Sequence, residues 1–294
     1  MTRASDTKEG TLWIVATPVG NLADLSPRAS DLLETVPVIA AEDTRVSRRL
    51  LSGRRDEPRW ISVNEHSEAR HLDELIELLC SGLDVALVSD AGTPLISDPG
   101  YRLVAAAHDA GIRVSPLPGS CAAIAALSAA GLPSDRFWFE GFLPARAPSR
   151  RRRLQALAST PATVIAYVPA RALVEVLEDC VLVLGGERLA ALARELTKIH
   201  ETVRRGRLDE LQAFCRDDAD QARGEAVLLI AGSDQPARTV DALALAVELA
   251  PELPPSRAAR ILSRLTGLSR KQAWVLIEQQ REPGSHGASV TRDE

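Results

Sequence analysis

Short apolar runs that end in loops of glycine, proline and acidic residues constrain most strongly what this chain can fold into. Five of the six residues at 12–17 are apolar before Pro18 and Gly20 interrupt the run, and the apolar run VALV at 85–88 is followed directly by SDAGTPLISDPG. Runs of this length fit buried strands, and the glycines and prolines that follow are turn residues. The pattern predicts buried strands that open into loops at their carboxyl ends.

Helical segments separate these strands. Ser26 is placed to cap a helix whose first residue is Pro27, and the segment at 67–82 ends at Gly82, a typical left-handed cap. One face of that segment carries its apolar residues, Leu72, Leu75, Ile76 and Leu79. Alternating strands and helices indicate parallel crossovers and a doubly wound sheet, in which ligands bind beyond the carboxyl ends of the strands.

The alternation continues beyond residue 118 and predicts a second α/β unit, with a hinge at 117–119 and a cleft between the two halves. Near the end of the chain, two short amphipathic helices are predicted around a turn at Gly267, with Ser269 capping the second. The first of them carries Ala258, Ile261, Leu262 and Leu265 on one face. We therefore expect a disordered leader at 1–10, α/β domains at 11–118 and 119–235, a helix-turn-helix-like appendage at 236–280 and a disordered tail at 281–294.

Composition limits the classes of function. No segment approaches the roughly 20 apolar residues of a membrane helix, and the first ten residues lack the apolar core of a signal peptide, so we expect a cytoplasmic protein with no membrane partner. The four cysteines lie far apart and no histidine stands at ligand spacing, which predicts neither disulfides nor a metal site. The net charge of −5 argues against a general nucleic-acid binder, but basic islands at 149–153 and 256–274 are either solvated helix faces or a polyanion site.

The strand-end loops lack the common nucleotide and hydrolase signatures. There is no G-x-G-x-x-G after the first strand, no G-x-x-x-x-G-K-[ST] and no G-x-S-x-G. Ala91, Gly92 and Thr93 instead allow the backbone to reach a nucleoside closely. Asp90 could accept a hydrogen bond from a ribose hydroxyl, face a positive centre or cap the turn.

Six segments in this order and spacing resemble the tetrapyrrole-methylase superfamily: VATPVGNLADLSPRA, AAEDTR, VSDAGTPLISDPG, PGSCAAIAAL, FEGFLP and ELTKIHE. Within it they resemble the ribosomal RNA small subunit methyltransferase I family. The resemblance implies two α/β domains with S-adenosylmethionine in the cleft between them, a homodimer, and 2′-O-ribose methylation of a cytidine in the decoding region of 16S rRNA, free or in the 30S subunit. It also implies cofactor contacts at Pro18, Val19, Gly20, Asp90, Ala91, Gly92, Thr93, Ser120 and Cys121.

Other residues near these motifs have alternative interpretations. Ser120 is expected also to cap the alanine-rich helix that follows it, and Asp98 to cap the helix after Pro99. At 167–173 the chain has YVPARAL where the family pattern has an acid and a histidine, so no role is assigned to that segment.

Methyl transfer to a hydroxyl requires a proton acceptor and a way to hold the RNA. Glu42 and Asp43 are the candidate acceptors because they end a strand beside the cofactor loops, although Asp43 could instead bind a cofactor ribose or cap the next helix. Phosphate contacts are expected from Arg45 and from the two basic islands, at Arg150, Arg151, Arg152, Arg153, Arg257, Arg260, Arg270 and Lys271.

Two other functions remain open at this point. The same fold and cofactor could serve methylation of a small molecule such as a precorrin, although the basic islands and the terminal helix pair have no evident use on a tetrapyrrole. A non-enzymatic RNA or DNA binder on a degenerate α/β scaffold is the second alternative, and the intact strand-end loops argue against it.

Overall fold

The first half of the chain is built around a five-stranded parallel sheet with the strand order β3-β2-β4-β1-β5. The structure is a computed structural model, and it describes residues 9–51, 56–64, 67–233 and 242–281. The two central strands β2 and β4 are buried along their whole length, as expected for strands covered by helices on both faces. The strands are β1 (Thr11–Val15), β2 (Val38–Ala41), β3 (Arg59–Ser62), β4 (Val85–Val88) and β5 (Arg113–Leu117), and the helices are α1 (Pro27–Thr35), α2 (Thr44–Ser47), α3 (Glu68–Cys80) and α4 (Tyr101–Asp109).

The doubly wound arrangement predicted for this half is confirmed. Every strand pair in the sheet is parallel. The neighbours β1 and β4 are followed by connections that leave in opposite directions, since β1 leads to β2 and β4 leads to β5. This is a topological switch point, where a crevice opens at the carboxyl ends of the strands.

Local signals place the helices as the sequence predicts. The Ser26 side chain accepts a hydrogen bond from the backbone N–H of Ala29 at 3.2 Å, and Pro27 is the first residue of α1. Gly82 has a φ of +93° just beyond α3, a conformation that costs glycine little. Leu75 and Leu79, from the predicted apolar face of α3, are buried.

The second sheet has the order β6-β7-β10-β8-β9 and is mixed. Only β6 and β7 are parallel, whereas β10 is antiparallel to both β7 and β8, and β8 and β9 form a hairpin. The parallel crossovers expected from the alternation therefore hold for the first sheet and not for most of the second. Its strands are β6 (Phe137–Phe142), β7 (Thr163–Pro169), β8 (Leu189–Arg194), β9 (Thr202–Arg207) and β10 (Glu225–Ile230), with helices α5 (Ala122–Ala130), α6 (Ala147–Leu157), α7 (Leu173–Leu184) and α8 (Leu208–Asp217).

The chain divides into two units, Met1–Gly232 and Ser233–Glu294. In the second unit, α9 (Ala242–Glu252), α10 (Pro255–Thr266) and α11 (Arg270–Arg281) share a small apolar core. The predicted turn is confirmed by Gly267 in the left-handed region, and so is the predicted cap, since the Ser269 hydroxyl accepts from the N–H of Gln272 at 3.3 Å. Leu265, expected on the buried face of α10, is instead 57% exposed.

Most of the expected leader, residues 1–8, and of the tail, residues 282–294, lies outside the described residues, as does the start of the expected appendage at 236–241. Among the helices that are described, none has the length and apolar character needed to cross a bilayer.

Candidate functional site

The loops that follow β1 and β4 are joined by backbone hydrogen bonds. The N–H of Thr17 donates to the carbonyl of Gly92 at 2.8 Å, and the N–H of Gly92 donates back to Thr17 at 3.0 Å. The Thr17 hydroxyl also donates to the carbonyl of Ser89 at 3.2 Å. Gly92 has a φ of +88°, so this position favours glycine. The two predicted loops therefore form one continuous rim at the switch point.

A cavity of about 510 Å³ lies beside this rim, between the two sheets. Its size falls within the roughly 300–1,000 Å³ of small-molecule sites. The cleft predicted between the two halves is thereby confirmed. The first half contributes Val19, Glu42, Asp90, Ala91, Gly92, Thr93, Ile96, Ser97 and Asp98, and the second half contributes Cys121, Ala122, Phe142, Tyr167, Val168, Pro169, Arg171, Ala193, Leu196, Lys198, Gly224, Glu225, Ala226 and Val227.

Most of the expected cofactor residues line this cavity: Val19, Asp90, Ala91, Gly92, Thr93 and Cys121. Pro18, Gly20 and Ser120 are not among the lining residues. The Ser120 carbonyl instead accepts from the Thr93 hydroxyl at 2.9 Å and fixes that loop. A Cβ at Gly20 would lie 2.7 Å from the Leu196 carbonyl oxygen, so only glycine allows this loop to approach the segment after β8 so closely.

The first half of the chain brings three carboxyl groups to the cavity, from Glu42, Asp90 and Asp98. Burial raises the pKa of Asp90, whose carboxylate accepts from the backbone N–H of Asp43 at 3.0 Å. The pKa of Asp98 is raised to about 6, mainly by burial and also by the charges of Glu42 and Asp90, while a hydrogen bond from Ser89 opposes the shift. This wall is electronegative and suits a cationic or hydrogen-bond-donating ligand.

Two capping roles expected from the sequence are wrong. The residue before α4 is Gly100, with a φ of +121° and no side-chain cap, so Asp98 does not cap this helix. The capping bond comes from a different helix: the carboxylate of Glu68, in α3, accepts from the backbone N–H of Arg102 at 2.9 Å. Similarly, Cys121 rather than Ser120 occupies the cap position of α5, without a side-chain hydrogen bond. Asp98 lines the cavity instead.

Glu42 and Asp43 have different environments. Asp43 caps α2, accepting from the N–H of Arg45 at 2.9 Å, and also pairs with the Arg45 guanidinium at 2.6 Å. These bonds lower the pKa of Asp43 to about 2. Of the alternatives for Asp43, the cap is confirmed, and the residue does not line the cavity. Glu42 does line it.

Strained backbone is concentrated in the two loops that flank the cavity. In the described part of the chain, the non-glycine residues with positive φ are Leu95, Ser97, Glu195 and Thr197, with φ between 50° and 73°. Each such residue costs about 1–3 kcal/mol and is held by its surroundings, an arrangement common at ligand sites. In the second loop, Lys198 Nζ bonds Glu195 at 2.9 Å and Glu225 at 3.1 Å.

The sequence did not identify the side chains that the second sheet contributes. Tyr167, at the end of β7, packs edge-on against Phe139 and Phe142 with ring centroids 5.1 and 5.5 Å away. Burial raises the pKa of Tyr167 to about 12, so its phenol stays protonated. Lys198 lies in the ELTKIHE segment and Phe142 in the FEGFLP segment, both of which carried the resemblance and were available signals for this wall.

The first basic island is mainly structural, and the expectation that Arg150 contacts RNA is wrong. Arg150 is 3% exposed, and its Nε donates to Asp179 at 2.6 Å. Arg151 pairs with the same carboxylate and Arg153 with Glu140. The expected RNA contacts that remain exposed are Arg45 and Arg151, whose side chains are 88% and 47% exposed although paired, together with Arg152, Arg257, Arg260, Arg270 and Lys271.

The amino-acid sequence is similar to a known protein family and to individual proteins of known name. Residues 11–212 match the family described as Tetrapyrrole (Corrin/Porphyrin) Methylases. The chain is 52% identical over 276 residues to the ribosomal RNA small subunit methyltransferase I of Pseudomonas aeruginosa, covering 92% of this chain and 98% of the relative. It is 46% identical over 284 residues to the protein of that name from Escherichia coli O157:H7, covering 95% and 98%.

Solved structures agree on the fold. A uroporphyrin-III C-methyltransferase from Thermus thermophilus, solved in complex with S-adenyl homocysteine, superposes with a TM-score of 0.50 at 18% identity, covering 76% of this chain and 92% of that one. At this identity the likeness concerns the fold alone. The predicted fold class, with two α/β halves and a helical C-terminal part, is confirmed.

Proposed function

The chain belongs to the ribosomal RNA small subunit methyltransferase I family of the tetrapyrrole methylases, and from that premise we propose that it methylates the 2′-oxygen of a cytidine in the decoding region of 16S rRNA. It is an S-adenosylmethionine-dependent methyltransferase of small-subunit ribosomal RNA. The observation that carries the proposal is the acidic cavity between the two sheets, built by the strand-end loops on which the family resemblance rests.

The cavity residues fit S-adenosylmethionine. Ala91, Gly92 and Ala122 leave room for a ligand against the backbone, and the carboxyl groups of Asp90 and Asp98 would hold its hydroxyl and ammonium donors or face its positive charge. When bound, this cofactor supplies a methyl group on an electrophilic sulfonium centre. The residues of the cavity position the ribose hydroxyl against it, and such positioning alone provides several kcal/mol of rate enhancement.

Glu42 is the proton acceptor in this proposal. The 2′-hydroxyl must lose its proton during attack, and a carboxylate in hydrogen-bond reach of the reacting group can accept it. Asp43 is unsuited because it is bound by Arg45, has a pKa of about 2 and does not line the cavity. Glu42 lines the cavity beside Asp90 and Asp98, and this narrows the pair expected from the sequence to one residue.

RNA binding, a homodimer and a cytoplasmic location complete the proposal. The exposed arginines outside the cavity, such as Arg152 in α6, would bind phosphates without reading bases.

The homodimer is supported by exposed apolar side chains. Ile199 is 96% exposed and Phe142 is 59% exposed, and both belong to segments next to the cavity. Apolar side chains exposed to this extent support an interface with a second copy of the chain.

The test is methylation of 30S subunits with labelled S-adenosylmethionine, followed by mapping of the modified nucleotide. Transfer to a 2′-oxygen of a 16S cytidine is expected. Transfer to a precorrin-like tetrapyrrole and not to 30S subunits would favour the small-molecule alternative. Calorimetry that detects no binding of the cofactor at millimolar concentration would favour the non-enzymatic scaffold.

The role of Glu42 is tested separately by single-turnover methylation. Glu42→Gln should lower the rate about 10²- to 10⁴-fold, the range for loss of a general base, while cofactor affinity stays within a few-fold. Asp43→Asn is the matched control and should retain most of the single-turnover rate. If Glu42→Gln also retains it, Glu42 is not the proton acceptor.

A further inference from the structure

A second cavity, of about 340 Å³, lies between α10 and α11 in the C-terminal unit. It is lined by Ser256, Ala259 and Arg260 from α10 and by Arg270 and Trp274 from α11. Residues three and four positions apart share one face of a helix, so each helix presents one face to this cavity. Buried Leu262 and Ile277 hold the two helices together in the core of the unit.

The guanidinium groups at this cavity have no carboxylate partner within the described part of the chain. Among the residues that the structure describes, neither Arg260 nor Arg270 forms an ion pair, whereas Arg150, Arg151 and Arg153 all do. No acidic residue occurs between positions 256 and 274. In a chain of net charge −5, a local concentration of unpaired cations points to an anionic ligand.

The Trp274 indole differs from the other three tryptophans in its hydrogen bonding. Trp13, Trp60 and Trp138 each donate their indole N–H to a carboxylate, at 3.2, 2.8 and 2.9 Å. Trp274 has no such bond to any described residue, and it is 43% exposed at the cavity. An exposed aromatic ring flanked by arginines is the arrangement on which unstacked nucleobases stack, with the arginines on the phosphates.

We propose that this cavity binds an unstacked nucleobase of single-stranded RNA on the Trp274 indole, with Arg260 and Arg270 on the flanking phosphates. The inference rests on the proposed function, because it gives the ribosomal RNA substrate an anchor apart from the methylation site. Single-stranded RNA is favoured over duplex because a stacking surface inside a cavity can be used only by a base that has left its helix.

The experiment measures binding of the full chain to a fluorescein-labelled 12-nucleotide single-stranded RNA and to an abasic strand of the same length. Trp274→Ala should weaken binding of the RNA roughly 5- to 140-fold and leave binding of the abasic strand unchanged. Trp274→Phe keeps an aromatic ring and should restore most of the affinity. Trp138→Ala removes an indole that is similarly exposed, at 49%, and is the matched control.

The arginines are tested by the salt dependence of the same binding. The double variant Arg260→Ala and Arg270→Ala should reduce the slope of log K against log salt by about 1.4, which is about 0.7 for each lost contact to a single strand. It should weaken the RNA and the abasic strand alike, since it removes phosphate contacts. Unchanged helicity in circular dichroism checks that α11 is still folded in each variant.

Two outcomes would overturn the proposal. One is that Trp274→Ala binds the single strand as tightly as the unsubstituted protein does. The other is that a duplex of the same sequence binds as tightly as the single strand and loses affinity equally in Trp274→Ala, which would indicate recognition of a groove. Methylation of 30S subunits by the unsubstituted chain reports separately on the proposed function, so a failure there leaves the single-strand result interpretable.

Discussion

Replacing Asp98 with asparagine should weaken binding of S-adenosylmethionine and stabilise the cofactor-free protein. The Asp98 carboxyl group is half-buried at the cavity, and burial together with the charges of Glu42 and Asp90 raises its pKa to about 6. An ionised carboxylate there is costly to the free protein and favourable to a bound cation. One side chain thus opposes stability and promotes binding, which is the pattern expected of a binding residue and not of a helix cap.

The raised pKa of Asp98 determines how the stability of the cofactor-free protein depends on pH. The carboxyl group binds its proton more tightly in the folded protein than in the unfolded chain, so the free energy of unfolding falls as the pH rises from 3.8 to about 6 and stays lowered above that range. The full difference would correspond to about 3 kcal/mol, which solvent screening of a half-exposed group reduces to on the order of 1 kcal/mol. Asp98→Asn should recover about that amount at neutral pH.

The raised pKa of Asp98 also determines how the affinity for S-adenosylmethionine depends on pH. Only the ionised carboxylate attracts a cation, and at pH 5 about one molecule in eleven is ionised, so the apparent Kd should rise roughly elevenfold between pH 8 and pH 5. Asp98→Asn should bind the cofactor roughly 10- to 150-fold more weakly at pH 8, the range for loss of a hydrogen bond to a charged group. It should also lose much of the pH dependence, and the remainder belongs to Asp90, whose pKa burial also raises.

Isothermal titration calorimetry from pH 5 to pH 8 measures the affinity, and urea unfolding without cofactor measures the stability. Asp31→Asn is the matched control because Asp31 is exposed on α1, outside the cavity, and its replacement makes the same change in charge. A destabilised Asp98→Asn variant with unchanged cofactor affinity would refute the reasoning and restore a structural role for Asp98.

Three further predictions follow from the contacts. Asp179→Asn removes the close charged partner of the buried Arg150 guanidinium and leaves only exposed Glu175, 3.9 Å away, so it should lower the free energy of unfolding by about 3–5 kcal/mol in urea titration. Gly20→Ala places a Cβ within 2.7 Å of backbone in the loop after β8, so calorimetry should show weaker cofactor binding and urea a loss of about 1–3 kcal/mol. Bound S-adenosylhomocysteine should protect Cys121, which lines the cavity, from iodoacetamide and leave exposed Cys80 reactive, as measured by peptide mass spectrometry.

The first sheet could be predicted from the sequence because each of its signals is local. The strands β2 and β4 are continuous apolar runs, which indicates burial on both faces. Ser26 marks the start of α1 and Gly82 the end of α3. The second sheet could not be predicted in the same way. The apolar run CVLVL at 180–184 forms the end of α7, although its length also fits a strand, because periodicity does not distinguish a short apolar strand from a buried helical turn.

Except for Cys121, which the family resemblance supplied, the cavity residues could be predicted only in the first half of the chain, for a related reason. The rule that ligands bind at the carboxyl ends of strands applies to parallel sheets. In the second sheet β10 is antiparallel to its neighbours, so Glu225 at its start lies beside Pro169 at the end of β7. Residues at the beginning of one strand therefore line the cavity together with residues at the end of another. The rule for parallel sheets does not identify the residues at the beginning of a strand.

Charge is divided between sites in a way that the net value of −5 conceals. The three carboxyl groups at the cavity favour a cationic cofactor and repel phosphate, and the lysine on the opposite wall, Lys198, is already balanced by Glu195 and Glu225. In the proposed function a neutral ribose hydroxyl enters beside these carboxyl groups, while RNA phosphates would contact exposed arginines, of which Arg171 lines the cavity and Arg152 does not. We expect this separation to allow an acidic protein to act on a polyanion, because the carboxyl groups proposed to bind the cofactor and the arginines proposed to bind RNA are different groups of opposite charge.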